Sequence, residues 1–171
     1  MDFFSHGLWS YIIFHRSKYV LLAILFGILP DILSWTIFMV YPLKNGFTWK
    51  NPDLSLIPKW VFTLYNVTHS LVVIALIFLI VYIIFRRIPL FLFALPLHIL
   101  IDIPTHSRDF LPTPFLWPIS NWYFPGISWG NRYFLIANYS LIIILLLYIN
   151  YKNITVLFEN IKHFLRKIFV K

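Results

Sequence analysis

From Tyr133 to Tyr151 the chain runs nineteen residues without an acid, a base or a histidine. A helix of that length, at about 1.5 Å per residue, matches the roughly 30 Å hydrocarbon core of a bilayer. Two other runs are at least as long, Tyr19 to Tyr41 and Trp60 to Phe85, and a shorter one covers Ile88 to Ile103. Sixty per cent of the 171 residues are hydrophobic and 12% are charged, against a soluble norm of roughly 45–50% and about 25%. A soluble domain cannot hide that much apolar surface. Low charge of this kind excludes a disordered chain, and the absence of cysteine excludes a disulfide scaffold. The sequence therefore predicts an all-α fold, a polytopic membrane helical bundle of about four transmembrane helices.

Two further segments complete that expectation. Phe3 to Phe14 is apolar but too short to cross, so it is expected to re-enter or half-span the membrane. The tail, 152–171, places Ile154, Leu157, Phe158, Ile161, Leu165 and Ile168 on one helical face with most of its charge elsewhere, and is expected to lie on the inner leaflet as a basic amphipathic helix. The expected organisation is thus a transmembrane domain over 1–151 and an amphipathic cytoplasmic tail over 152–171. Asp2 and His6 stand where a cleavable signal would carry basic residues, so no such signal is expected.

The net charge of +8 fits the same picture without nucleic acid as a partner. Nine of the 14 basic residues (Arg16, Lys18, Arg86, Arg87, Lys152, Lys162, Arg166, Lys167 and Lys171) fall on one side of a four-span topology. Five (Lys44, Lys50, Lys59, Arg108 and Arg132) fall on the other. The positive-inside rule then places the C-terminus in the cytoplasm and the chain in the cytoplasmic (inner) membrane, with membrane lipid as its surroundings.

The informative residues are those that interrupt the apolar runs. An acid at the bilayer centre costs about 2.5–3.5 kcal/mol on insertion scales, and such residues face the protein interior and pair. Here they are Asp31 and Asp102, with His69 and His98 in spans and His6 and His106 close by. Counted inward at about 1.5 Å per residue, all six fall in one layer roughly 15 to 27 Å from the cytoplasmic ends. His98, Asp102 and His106 follow an H-x3-D-x3-H spacing, which aligns His98 and Asp102 on one helix face. Pro30 precedes Asp31 and Pro104 precedes His106, so both segments are broken where the polar residues lie.

A metal ion requires neutral imidazoles and ionised carboxylates, and it would offset the cost of burying both acids. With no cysteine, the candidate ligands are His6, Asp31, His69, His98, Asp102 and His106, a set suited to a divalent ion such as zinc and large enough for two. Taken alone, His6 or His69 reads as an interhelical hydrogen-bonding residue, and Asp102 could pair with Arg108. His15 and His163 read as interfacial. Proton or ion transport through Asp31 and Asp102 is a competing reading. Bis-histidine haem ligation leaves both acids without a role.

At these residues the chain resembles the YdjM-like family of predicted membrane-bound metal-dependent hydrolases. The motifs are SHG at Ser5–Gly7, GILPD at Gly27–Asp31, THS at Thr68–Ser70, LHILIDIPTH at Leu97–His106 and FLWPIS at Phe115–Ser120. The likeness runs from residue 2 to about residue 131. It implies that His6, Asp31, His69, His98 and Asp102 are metal ligands, with His106 a further matching position. One departure is Leu33, where family members often carry a second acid.

The loop from Arg108 to Arg132 carries four prolines and a dense set of aromatics, which reads either as an interfacial belt or as a lid over the site. Under the second reading Arg108 and Arg132 are candidates to hold a phosphate. The sequence-level expectation is a hydrolase acting on a lipid or amphiphilic phosphoester, with Asp31 or Asp102 as general base. A transporter, and a non-catalytic membrane adaptor with a structural metal site, are the alternatives.

Overall fold

The computed structural model describes residues 1–36, 58–109 and 111–169. Among these residues every regular element is helical and there is no strand. The chain divides into two compact units, Met1–Asn131 and Arg132–Lys171.

In the first unit, α1 spans Phe3–Phe14. Asp2 caps it: Oδ1 accepts from the Ser5 N–H at 3.0 Å and Oδ2 from the Ser5 hydroxyl at 2.6 Å. A carboxylate at that position satisfies amides that the first turn leaves unpaired. Helix α2 spans Val20–Asp31 and continues into a π-helical turn, Ile32–Thr36. Pro30 cannot donate to the carbonyl four residues back, and the helix changes its winding just beyond it.

Helices α1 and α2 approach closely at Gly27. A Cβ there would lie 1.9 Å from Ser10 Oγ and 2.8 Å from Ser10 Cβ. Glycine is the only residue this approach admits.

The expected span Trp60–Phe85 is two helices, α3 (Lys59–Thr68) and α4 (Leu71–Phe85), bent by 56°. Ser70 causes the break by capping α4, its Oγ accepting from the Val73 N–H at 3.2 Å. The Ser70 hydroxyl donates to the Trp117 carbonyl, and the Leu71 N–H donates to the Phe115 carbonyl at 3.0 Å. The bend is thereby tied to the aromatic loop. The expected span Ile88–Ile103 is a 3-10 turn, Leu90–Phe93, leading into α5, Ala94–Thr105.

The loop also closes the end of α5. The Ile127 N–H donates to the Pro104 carbonyl and the Trp129 N–H to the Thr105 carbonyl, each at 2.9 Å. Gly126 allows this approach, because a Cβ there would lie 2.4 Å from the His106 carbonyl oxygen. An apolar core of Ile74, Leu92, Leu95 and Ile99 packs α4 against α5, with Phe26 of α2 and Phe115 of the loop beside it.

The second unit is one continuous helix, α6, Arg132–Phe169. The expected fourth span and the expected tail are therefore a single element with no break at 151/152. Its portion 132–153 is, among the described residues, the one unbroken helix long and apolar enough to cross a membrane. The bent pair α3–α4 passes the same test if taken together, and Val20–Ser34 and Leu90–Thr105 are shorter apolar helices. The far end of the first expected span, the polar segment with Lys44 and Lys50, Phe110 and Lys171 lie outside the described residues.

Candidate metal centre

The first unit brings all six sequence-predicted ligand residues together. They come from four places: His6 from α1, Asp31 from the end of α2, His69 from the α3–α4 break, and His98, Asp102 and His106 from α5 and its exit. Five are buried and Asp31 is 12% exposed, the one member with an open side.

The histidines are held from behind. The His98 Nδ1–H donates to the Gly27 carbonyl at 2.7 Å. The His69 Nδ1–H donates to the Tyr65 carbonyl at 3.2 Å, with Thr68 Oγ1 2.9 Å away. The His106 Nδ1–H donates to the Leu111 carbonyl at 2.8 Å. A carbonyl only accepts, so each contact puts a proton on Nδ1, and in the neutral ring Nε2 is then the lone pair that a metal can take. Metal-bound histidines are oriented in this way by outer partners.

These Nε2 atoms point at one another and at two carboxylates. His69 Nε2 and His98 Nε2 are 3.2 Å apart. Asp102 Oδ2 lies 3.2 Å from His98 Nε2 and 3.7 Å from His69 Nε2. Asp31 Oδ1 lies 3.4 Å from His69 Nε2 and 3.8 Å from His98 Nε2. An ion with tetrahedral bonds of about 2.0–2.1 Å sets its ligand atoms about 3.3 Å apart. His69, His98 and Asp102 therefore fit three corners of such a site, and the same pair of histidines with Asp31 fits a second arrangement.

His6 completes the cluster. Its ring stacks on that of His98, with centroids 3.6 Å apart and planes at 18°. Its Nε2 lies 2.9 Å from Asp102 Oδ1, which can only accept while ionised, so Nε2 carries the proton. Nδ1 is then a lone pair, and it is buried without a hydrogen-bond partner. His6, Asp31 and His98 each offer a ligand atom within 4.8 Å of the others. Buried polar atoms are ordinarily satisfied, and an orphan of this kind calls for a ligand to fill it.

His106 stands on the far side of Asp102. The helix ends at Thr105, and His106 is extended, with φ −113° and ψ 128°. The H-x3-D-x3-H spacing thus works as a helical pair only for His98 and Asp102. Beyond Pro104 the chain turns, yet His106 Nε2 still comes within 3.4 Å of Asp102 Oδ1. The Met1 nitrogen also donates to Asp102 Oδ1 and lies 2.9 Å from His106 Nε2.

The two candidate phosphate-binding arginines have other partners. Arg108 donates from Nε and Nη2 to the Tyr123 carbonyl, at 3.2 and 3.0 Å, bracing the loop. Arg132 opens the second unit and donates from Nη2 to the Tyr133 hydroxyl at 2.6 Å. Leu33 is exposed, so the position where the resembled family often has an acid contributes no ligand in this chain.

Sequence reasoning did not single out three supports of the site. Tyr65 packs its ring 4.1 Å from that of His69 and donates its hydroxyl to the Leu111 carbonyl at 3.1 Å. Its position four residues before His69 on one helix was a usable signal. The Gly27 and Leu111 carbonyls carry no side-chain signal at all. No protein-family model, curated protein or solved structure matches the chain.

Proposed function

We propose that this protein is a membrane-bound metal-dependent hydrolase of YdjM-like type, acting on a lipid or amphiphilic phosphoester, with zinc as the divalent ion. The observation that carries the reading is the meeting of His69 Nε2 and His98 Nε2, 3.2 Å apart with carboxylate oxygens of Asp31 and Asp102 around them. Two lone pairs at that distance repel unless a positive species lies between them. A proton satisfies one donor–acceptor pair. A divalent ion satisfies three or four converging acceptors at once and offsets the burial of both acids.

A bound ion of this kind acidifies water and polarises a phosphoryl oxygen. The protein's own groups divide the remaining work. Asp102 is buried with both oxygens engaged, which suits a ligand. Asp31 has the open side and suits a general base taking a proton from water. Apolar helices around the site favour a substrate with a lipid portion, and the four-span inner-membrane topology read from the sequence belongs to this proposal.

The test is metal analysis of the detergent-purified protein, wild type beside His98→Ala and Asp102→Ala, followed by turnover on phospholipids and isoprenoid phosphates. Wild type is expected to retain stoichiometric zinc or a similar ion, and each variant to lose it. A wild type with no bound divalent metal overturns the proposal. Flux through proteoliposomes that depends on Asp102, without tightly held metal, would favour a transporter instead.

A further inference from the structure

At one end of the first unit two turns come together. One, 15–19, joins α1 to α2, and the other, 86–89, joins α4 to the 3-10 turn before α5. Apolar contacts hold them side by side. Phe14, Ala23 and Ala94 form one buried cluster, with Phe26 and Phe91 packed against it. The rings of Tyr19 and Phe91 meet edge to face with centroids 6.0 Å apart. Tyr19 directly follows Lys18, and Phe91 lies a short step beyond Arg87 in the chain.

These turns carry Arg16, Lys18, Arg86 and Arg87, all exposed. No acid answers them. Neither 3–30 nor 54–101 contains an aspartate or a glutamate. Among the described residues no carboxylate pairs with any of the four. Lys18 Nζ lies over the Tyr19 ring, 4.8 Å from its centroid, a contact that holds the ammonium without neutralising it. Arg86 ends α4 in the left-handed region, with φ 55° and ψ 17°. Glycine takes such a position without cost, and arginine does not. A costlier residue there points to a use for its side chain.

Four like charges gathered on two adjoining turns repel one another, and an anion from outside relieves that repulsion. Tyr19, Tyr82 and Phe85 stand exposed beside them, and tyrosine favours the headgroup level of a bilayer. Basic pockets between membrane helices hold phosphate headgroups, which arginine grips through charge-assisted bonds.

We propose that the two turns form one binding surface for the headgroup of an anionic phospholipid, held by Arg16 and Lys18 from one turn and by Arg86 and Arg87 from the other. This rests on the chain's lying in a bilayer and is independent of the metal centre. A headgroup gripped by both turns fastens the start of α2 to the approach of α5.

The experiment melts the detergent-purified full chain in mixed micelles carrying phosphatidylglycerol, phosphatidylcholine, or inorganic phosphate without added lipid. Phosphatidylglycerol alone is expected to raise the midpoint, and the rise is expected to shrink as NaCl is added. The pairs Arg16→Gln with Lys18→Gln, and Arg86→Gln with Arg87→Gln, are each expected to lose most of that rise. The quadruple variant should lose little more than either pair, because one headgroup needs both turns. Equal rises with the two lipids, or an equal rise with inorganic phosphate, overturn the proposal. So does a rise that the quadruple variant keeps. Losses that simply add across the two pairs overturn the single surface. If a variant does not fold, the lipid preference and salt dependence of the wild type decide. A chain that stays soluble and monodisperse without detergent overturns the membrane reading, and this proposal with it.

Discussion

Asp31 and Asp102 are the same residue type in one cluster, but their surroundings differ, and the proposed reading gives them different work. Asp102 is 1% exposed and meets nitrogen atoms at both oxygens, whereas Asp31 is 12% exposed. Removing the Asp102 charge should strip the site, and removing the Asp31 charge should stop the chemistry. Asp31→Asn is expected to lower kcat by about 10²–10⁴-fold, the range for loss of a general base. It should retain zinc within about tenfold of wild-type affinity, less than the 10–100-fold that outer-shell losses reach. Equal loss of metal in Asp31→Asn and Asp102→Asn would make Asp31 a ligand and not a base. The residues of this cluster were legible because charge is conspicuous in an apolar run, and because four-residue spacing places His98 beside Asp102. What fixes their orientation was not legible. The Gly27, Tyr65 and Leu111 carbonyls act through backbone, which every residue carries, and only the folded chain brings them behind the imidazoles.

Helix breaks, more than helices, build the site. His69 lies between α3 and α4, Asp31 just after Pro30, and His106 just after Pro104. Each break frees backbone groups that a neighbouring segment then uses, as broken helices do at membrane depth. The prolines announced two of these breaks. The third was hidden, because apolar residues flank Thr68–Ser70 on both sides and the run reads as one span. Ser70 makes that break through its cap, so Ser70→Ala is expected to cost about 0.5–2 kcal/mol. Thermal melts with and without zinc should show the variant losing zinc-induced stabilisation as well, because the α3–α4 bend positions His69. The α1–α2 contact gives a second prediction. Gly27→Ala drives a methyl into Ser10, and overpacking of this kind costs about 1–3 kcal/mol. The Gly27 carbonyl holds His98, so zinc affinity should fall with stability. Ser10→Gly removes both clashing atoms, and the double variant is expected to recover zinc binding that Gly27→Ala alone lacks. A double variant no better than the single one would mean that Gly27 serves some purpose other than close approach.

On the scale of the whole molecule, the two units answer different physical demands. Met1–Asn131 assembles short and broken helices around a buried polar cluster. The second unit is a single long helix whose portion 132–153 is apolar enough to span a bilayer. Length and hydropathy made the second unit legible, except for its continuity past residue 151. They could not reveal the broken path of the first, where tertiary contacts decide each turn. The proposed membrane topology rests on charge asymmetry, and the chain offers a clean way to test it. It has no cysteine, so any thiol introduced by substitution is labelled without background. Arg87→Cys and Lys152→Cys are expected to react with a membrane-impermeant maleimide only from the cytoplasmic face, and Arg108→Cys only from the opposite face. All three positions are exposed, so access through protein should not limit labelling. Labelling of Arg87→Cys and Arg108→Cys from the same face would mean that α5 enters and leaves on one side. The His/Asp centre would then open toward that side, and its substrate would come from that leaflet alone.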